Sequence, residues 1–339
     1  MANDLLLAGD VGGTKTNLAV YSYGRGLDAP LAEDTLHSST FPSLDALARH
    51  FLTRTGLSVS TACFGVAGPV VDGHARVTNL PWQMDEAALA VDLGVREAHL
   101  LNDLESIAHA VPVLHAADLE TIQEGAARPE GAIAVIAPGT GLGEAYLTWD
   151  GQRHRAHASE GGHADFAPTT AQELALLGYM QKKFTHVSYE RVCSGIGIPH
   201  LYGFLKDSGA APEPPWLAAR LAGAKDVTRE IMQVALGTTE DSTVPPSDLC
   251  TQTLDLFVSI LGAQAGNLAL TLLATGGVYL GGGIPPRMLA LLHGQNFKAA
   301  FLHKGRFAEL LQRVPVHVIL NPKVALLGAA SYGLTQMPA

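Results

Sequence analysis

Two short glycine–threonine turns, Gly12-Gly13-Thr14 and Gly139-Thr140-Gly141, each divide a pair of apolar, strand-like runs. Leu5 to Gly9 leads into the first turn and Asn17 to Tyr23 leaves it, while Ala132 to Ala137 and Ala145 to Trp149 flank the second. A tight turn between two such runs makes a hairpin. The repetition predicts two α/β halves, each opening on a hairpin, and 339 residues exceed what a single core usually organises. With 47% hydrophobic and 16% charged residues, the chain can bury a core rather than stay disordered.

Between the hairpins, Ser43 to Thr55 places Leu44, Leu47 and Phe51 on one helical face. Thr61 to Val66 and Ala98 to Leu101 read as short strands, and Asp103 to Val111 as a helix. Further on, helices are expected over 171–184, 198–206, 216–222, 227–236 and 249–275, with Pro-, Gly- and acid-rich loops at 208–215 and 238–247. Gly277 to Leu280 and Val316 to Leu320 read as strands, Arg287 to Leu292 as a helix, and the last helix begins near Lys323.

Charge excludes one class of partner. The formal net charge is -10 and no Lys/Arg-rich run exists, so the basic footprint of a nucleic-acid binder is missing. A polyanionic ligand would have to be held by backbone N–H groups and a metal. The three cysteines, Cys63, Cys193 and Cys250, lie far apart without metal-ligand spacing and suit a reducing, cytoplasmic setting. Acidic Asp4 before a short apolar run argues against a secretory signal. Val258 to Thr275, interrupted by Gln264 and Asn267, reads as a buried helix rather than a membrane span.

Gly9-Asp10-Val11-Gly12-Gly13-Thr14-Lys15-Thr16 nearly mimics a P-loop, but Thr14 stands where that loop needs glycine, and a strand rather than a helix follows. A glycine hairpin can bind phosphate in another way. Its N–H groups converge into an anion-binding nest, to which Thr14 and Thr140 add hydroxyl donors. Asp10, closing a buried strand, is placed to hold hydrated magnesium, although a plain hairpin with Asp10 capping its turn has the same pattern. Gly281-Gly282-Gly283, after a strand, suits a nucleoside, because ligands of α/β sheets bind beyond the carboxyl ends of strands.

Leu100-Leu101-Asn102-Asp103 ends an apolar strand where a helix starts at once. Asn102 with Glu105 fits a capping box, which leaves Asp103 spare to accept a proton from an attacking hydroxyl. Ser159-Glu160-Gly161-Gly162-His163-Ala164-Asp165-Phe166 sets a carboxylate and an imidazole around two glycines, an arrangement better suited to polyol hydroxyls than to a metal. Glu190 within Tyr189 to Gly195 fits an ordinary helix face as well as a ligand contact, and Asn79 within Thr78 to Trp82 fits a plain loop as well as a sugar border.

In this order, Gly-Asp-Val-Gly-Gly-Thr, Thr-Asn-Leu-Pro-Trp, Leu-Asn-Asp, Gly-Thr-Gly-Leu-Gly, Glu-Gly-Gly-His-x-Asp-Phe, Glu-Arg-Val-x-Ser-Gly and Gly-Gly-Gly-Ile make the chain resemble the bacterial glucokinases of the hexokinase superfamily, from residue 5 to about 335. The resemblance implies an α/β, actin-like (ribonuclease H-like) ATPase fold with two domains around a closing cleft. Residues 1–112 plus 323–339 would form the small domain and 113–322 the large one, in a homodimer. It implies glucose and ATP as ligands, with Asp103 contacting the sugar and acting as base for its 6-hydroxyl. Asn102, Glu160, His163 and Glu190 become hydroxyl contacts, and Asn79 their neighbour. ATP falls to Gly12, Gly13, Thr14, Lys15, Gly139, Thr140, Gly141 and Gly282, and Mg2+ to Asp10 through water.

Two departures stand out. Relatives often carry arginine shortly after the first Gly-Gly-Thr, where this chain has Lys15-Thr16-Asn17, and the zinc-binding cysteine cluster of the related repressor/open-reading-frame/kinase family is absent. A kinase for mannose, fructose or glucosamine would share the chemistry, and a catalytically idle sugar sensor the sugar shell. Retention of Asp10, Asp103 and both turns speaks for catalysis.

Overall fold

The computed structural model describes residues 4–77 and 80–336. The chain begins with β1 (Leu5–Val11), β2 (Lys15–Ser22), β3 (Ala32–His37), α1 (Leu44–Thr55), β4 (Thr61–Val66), β5 (Val70–Val71), β6 (His74–Arg76), β7 (Gln83–Asp85), α2 (Glu86–Leu93), β8 (Glu97–Asn102) and α3 (Asp103–Ala110). It continues through β9 (Leu119–Gln123), β10 (Ile133–Pro138), β11 (Leu142–Trp149), β12 (His154–Ser159), α4 (Ala171–Met180), α5 (Gly197–Asp207), α6 (Pro215–Ala222), α7 (Val227–Leu236) and α8 (Asp248–Leu272). It ends with β13 (Gly277–Leu280), α9 (Leu289–Leu292), α10 (Gln295–Leu302), α11 (Ala308–Leu311), β14 (Val316–Ile319) and α12 (Val324–Gln336).

These elements divide into two compact units. The first runs to Leu119, takes in Gln152–Ala158 and regains the chain from Asn321; the second comprises Glu120–Gly151 and Ser159–Leu320. Its division therefore falls within β12.

In the first unit a sheet runs in the order β3-β2-β1-β4-β8. The β1, β2 and β3 strands pair antiparallel, and β4 and β8 join β1 in parallel. Strand β1 is apolar without alternation because both of its faces are covered. Leu5, Leu7 and Val11 pack in one core with Leu44, Leu47 and Phe51 of α1, whereas Leu6 and Ala8 pack in another with Leu326, Ala329 and Ala330 of α12. Helix α12 is further tied to α3 by the Ser106 hydroxyl, which donates to the Ala325 carbonyl at 2.8 Å.

The second unit places β11-β10-β13-β14-β9 in that order. Hairpin β10–β11 is antiparallel, and β13 and β14 follow β10 in parallel. Its largest helix, α8, is long and apolar enough to cross a membrane, yet 72% of its most apolar window is buried inside the protein, as a core helix requires. Cβ atoms at its Gly262 and Gly266 would lie 2.3 Å and 2.6 Å from the carbonyls of Phe297 and Phe301, so these glycines let α10 approach. Burial pushes the Cys63, Cys193 and Cys250 thiols up, and they act as small apolar core residues.

Several elements depart from the sequence reading. The helix expected over 171–184 stops at Met180. Helix α8 stops at Leu272, where Leu273 turns left-handed at φ 49° and closes the end. In place of the one helix expected over Arg287 to Leu292, the chain forms a 3-10 turn, Pro285–Met288, and a single turn of α-helix, Leu289–Leu292, since prolines open that 3-10 turn. The segment from Tyr189 to Gly195 is a succession of turns and not a helix face.

Within the first unit, His109 of α3 lies against Tyr332 of α12, ring centroids 4.9 Å apart. Burial, reinforced by Arg153 and His157, holds its imidazole down at about 4. An unfolded histidine titrates near 6.5, so between about pH 6.5 and 4 the unfolded chain binds a proton that the folded chain refuses. The resulting stability is complete above pH 6.5 and is lost as pH falls toward 4. His109→Phe, which keeps a ring against Tyr332, is expected to lose about 2–3 kcal/mol less than the parent between pH 7 and 4.5. Urea denaturation of both proteins at the two pH values measures that difference.

Candidate active site

In the first unit the β1–β2 register pairs Asp10 with Asn17 and Val11 with Thr16. The intervening turn is closed by the Gly12 N–H, which donates to the Lys15 carbonyl at 3.0 Å. Wholly buried Ser38 braces it from behind. Its hydroxyl donates to the Gly12 carbonyl at 2.7 Å and meets the Thr16 hydroxyl at 3.0 Å, while its N–H donates to the Thr14 carbonyl at 3.0 Å. Three carbonyl oxygens of the turn are thereby tied down, as a nest that offers N–H groups to an anion requires.

Asp10 is aimed by its cross-strand neighbour. The Asn17 side-chain amide donates to Asp10 Oδ2 at 3.1 Å, and the Thr35 hydroxyl donates to Asn17 Oδ1 at 2.8 Å. Burial raises the Asp10 carboxyl above its usual range, and the Asn17 bond opposes that rise. A nearby cation would favour the ionised form. Among the described residues no cluster of three His, Cys, Asp or Glu could cage a metal. Magnesium keeps most of its waters and takes only one or two carboxylates, so Asp10 alone fits it.

The parallel register aligns Val11 with Val66 and Val66 with Asn102. The glycine turn and the Asn102-Asp103 pair thus leave the same edge of one sheet, two strand spacings or about 10 Å apart. Asn102 is the N-cap of α3: its Oδ1 accepts from the N–H groups of Leu104 at 2.9 Å and Glu105 at 3.4 Å. Its Nδ2 donates to the Gly68 carbonyl at 3.0 Å. Burial raises the Glu105 carboxyl, and a hydrogen bond from the Asn102 backbone opposes that rise. Asp103 opens the helix half-buried, with Oδ1 accepting from Leu104 N–H at 2.9 Å.

In the second unit the turn Gly139-Thr140-Gly141 is gripped by the segment that follows Glu190. Gly195 N–H donates to the Gly139 carbonyl at 2.8 Å and Ile196 N–H to the Thr140 carbonyl at 3.2 Å. Glu190 Oε2 accepts from Leu142 N–H at 3.1 Å, so a sugar-contact candidate rests on the turn itself. Gly282, at φ 79°, lies beside Pro138, whose carbonyl would be 2.5 Å from a Cβ there. The loop carrying Glu160 and His163 packs on the same place: a Cβ on Gly162 would meet the Leu142 carbonyl at 2.0 Å, and Glu190 N–H donates to the Gly162 carbonyl at 2.9 Å. The exposed His163 and Glu160 side chains face each other at 3.8 Å.

The first unit therefore brings together Asp10, Gly12, Gly13, Thr14, Lys15, Asn102 and Asp103, and the second gathers Gly139, Thr140, Gly141, Gly282, Glu160, His163 and Glu190. Asn79 lies outside the described residues. Two supporting residues escaped the sequence reading. Asn17 was accessible by counting outward from the hairpin turn, which sets it opposite Asp10; Ser38 was not, because no local pattern brings it to the turn.

A two-unit α/β architecture with a glycine-turn hairpin in each unit and an acid at a strand end is that of the sugar kinases of the actin-like ATPase fold. In structure, the chain is similar to a glucokinase from an Antarctic psychrotroph, with a TM-score of 0.82 and 31% identity over 98% of this chain and 99% of that one. It is similar in fold to a glucokinase of the repressor/open-reading-frame/kinase family from Streptomyces griseus, solved with glucose and AMPPNP (TM-score 0.64, 19% identity, 98% and 99% covered). In sequence, it is 40% identical to the glucokinase of Nostoc punctiforme over 96% of this chain and 98% of that protein. The glucokinase family model matches residues 7–336, and the chain belongs to the glucokinase family.

Proposed function

We propose that the protein transfers the γ-phosphoryl group of ATP to the 6-hydroxyl of glucose. The observation that carries this reading is the strand register, which sets Asp103 at the same sheet edge as the braced turn Gly12–Thr14 and the carboxylate of Asp10. Asp103 accepts the proton of the attacking hydroxyl. Asn102, Glu160, His163 and Glu190 receive the remaining hydroxyls, with Asn79 as their neighbour, and so fix the one that reacts. The turns Gly12 to Lys15 and Gly139 to Gly141 receive phosphate oxygens through N–H groups other than those of Gly12 and Gly139, which close the turns, and Gly282 admits the nucleoside. Magnesium, when bound at Asp10 through water, supplies neutralisation of the phosphate charge. The transition state of such a transfer is loose, so positioning and charge neutralisation carry most of the acceleration. The AMPPNP bound by the Streptomyces griseus relative supports an adenosine triphosphate donor.

We further propose a soluble, cytoplasmic homodimer, a setting in keeping with three buried free cysteines. A panel of glucose, mannose, fructose and glucosamine with Mg-ATP, read by a coupled ADP assay, tests the substrate. Glucose is expected to give the highest kcat/KM, and EDTA is expected to abolish turnover. A higher kcat/KM for any other sugar, or undiminished turnover in EDTA, overturns the corresponding part.

A further inference from the structure

Beneath the loop of Glu160 and His163 lies a carboxylate that the reaction does not use. Glu144, two residues into β11 from Leu142, is 2% exposed, and its Oε2 would be 2.2 Å from a Cβ on Gly161. An added Cβ there would have to push the Glu144 carboxylate aside. Glu144 Oε1 accepts from Gln264 Nε2 of α8 at 2.8 Å. One turn further along α8, Asn267 Nδ2 donates to Gln264 Oε1 at 3.3 Å and to the Tyr189 hydroxyl at 2.9 Å. Tyr189, 3% exposed, directly precedes Glu190, and its N–H donates to the Ala164 carbonyl at 3.0 Å. A hydrogen-bonded chain therefore runs from Glu144, packed under Gly161 beside Glu160, to Tyr189, beside Glu190.

We propose that the Glu144–Gln264–Asn267–Tyr189 chain is a positioning device that fixes the spacing of the two sugar-binding segments, so that Glu144 and Gln264 set the affinity for the sugar without touching it. The inference rests on the sugar-kinase reading above. Buried polar groups are costly unless they are bonded, so a linked chain of this kind favours one geometry. Apolar side chains would fill the same space at less cost, but they would let the loop on Gly161 and the segment of Glu190 settle independently. Burial also pushes the Glu144 carboxyl up, against the Gln264 bond, toward the neutral form that an amide imitates. Glu144→Gln keeps the oxygen that accepts from Gln264, whereas Glu144→Ala removes it.

The test compares Glu144→Ala, Glu144→Gln and Gln264→Leu with the parent in glucose and ATP titrations, beside their melting temperatures. Glu144→Ala and Gln264→Leu are expected to raise the glucose KM about tenfold or more, while the ATP KM stays within about twofold and kcat falls less than the glucose KM rises. Glu144→Gln is expected to recover most of the loss. The proposal is overturned if the glucose KM does not move in either disrupting variant, if both KM values rise in parallel with lost stability, or if Glu144→Gln is as impaired as Glu144→Ala. Should Glu144→Ala not fold, Gln264→Leu decides in the same terms. Absence of glucose phosphorylation in the parent protein would instead refute the functional reading, so the two failures are told apart.

Discussion

Replacement of Asp103 by asparagine is expected to lower kcat by roughly 10²–10⁴-fold, the usual worth of a general base. The substitution is almost isosteric and leaves the local fold intact. Helix α3 takes its cap from Asn102, whose Oδ1 receives the Leu104 and Glu105 N–H groups, and an asparagine oxygen at 103 can still accept from Leu104. The lost charge in the first helical turn costs about 0.3–1 kcal/mol, far too little to unfold the protein. Glucose affinity, measured by calorimetry without nucleotide, is expected to change little, because an amide keeps one acceptor for the hydroxyl and loses only the ability to take its proton. Turnover close to that of the parent would remove Asp103 from its role.

Asp103 also marks how far the sequence could be read. A strand that ends in Asn-Asp with Glu two residues on is visible as a cap that leaves one acid over, and the Asn102 half of that cap is present in the structure. The hairpins were equally legible, because strand, glycine turn and strand are contiguous in the chain. Asn17, opposite Asp10, follows from the same counting. Contacts across long separations were not legible. Ser38 reaches the first turn across 26 residues to Gly12, and Gln264 meets Glu144 across 120. Short pieces such as β5, β6 and β7 hold too few residues to show a period, and they exist because neighbouring strands complete their hydrogen bonds. The assignment of Glu160, His163 and Glu190 to one place came from ordered motifs rather than from periodicity. The physical reason for their grouping, Gly162 against Leu142 and Glu190 on the Leu142 N–H, belongs to tertiary packing.

The same limit applies to α12, whose place in the first unit no local pattern fixes, and its glycines show what secures it there. A methyl group added at Gly328 would come within 1.6 Å of the Ser106 carbonyl oxygen and 3.2 Å of the Ala110 nitrogen, both backbone atoms of α3. Neither can rotate aside, so the helices must separate. That separation would loosen Leu326, Ala329 and Ala330 from Leu6 and Ala8 and stretch the bond from Ser106 to Ala325. Overpacking of this kind costs about 1–3 kcal/mol and sometimes more, so Gly328→Ala is expected to lower the melting temperature by roughly 1.5–4 °C. Because α3 starts at Asp103, the displaced helix is also expected to reduce kcat in the protein that remains folded. Gly178 in α4 provides the opposite case: it is an exposed helical glycine with nothing within 4 Å of an added Cβ. Gly178→Ala should stabilise the protein by about 0.5–1 kcal/mol through helix propensity and leave turnover unchanged. Thermal melts and steady-state rates of the two variants side by side decide the matter, since equal responses would mean that α12 is not held to α3 by backbone contact.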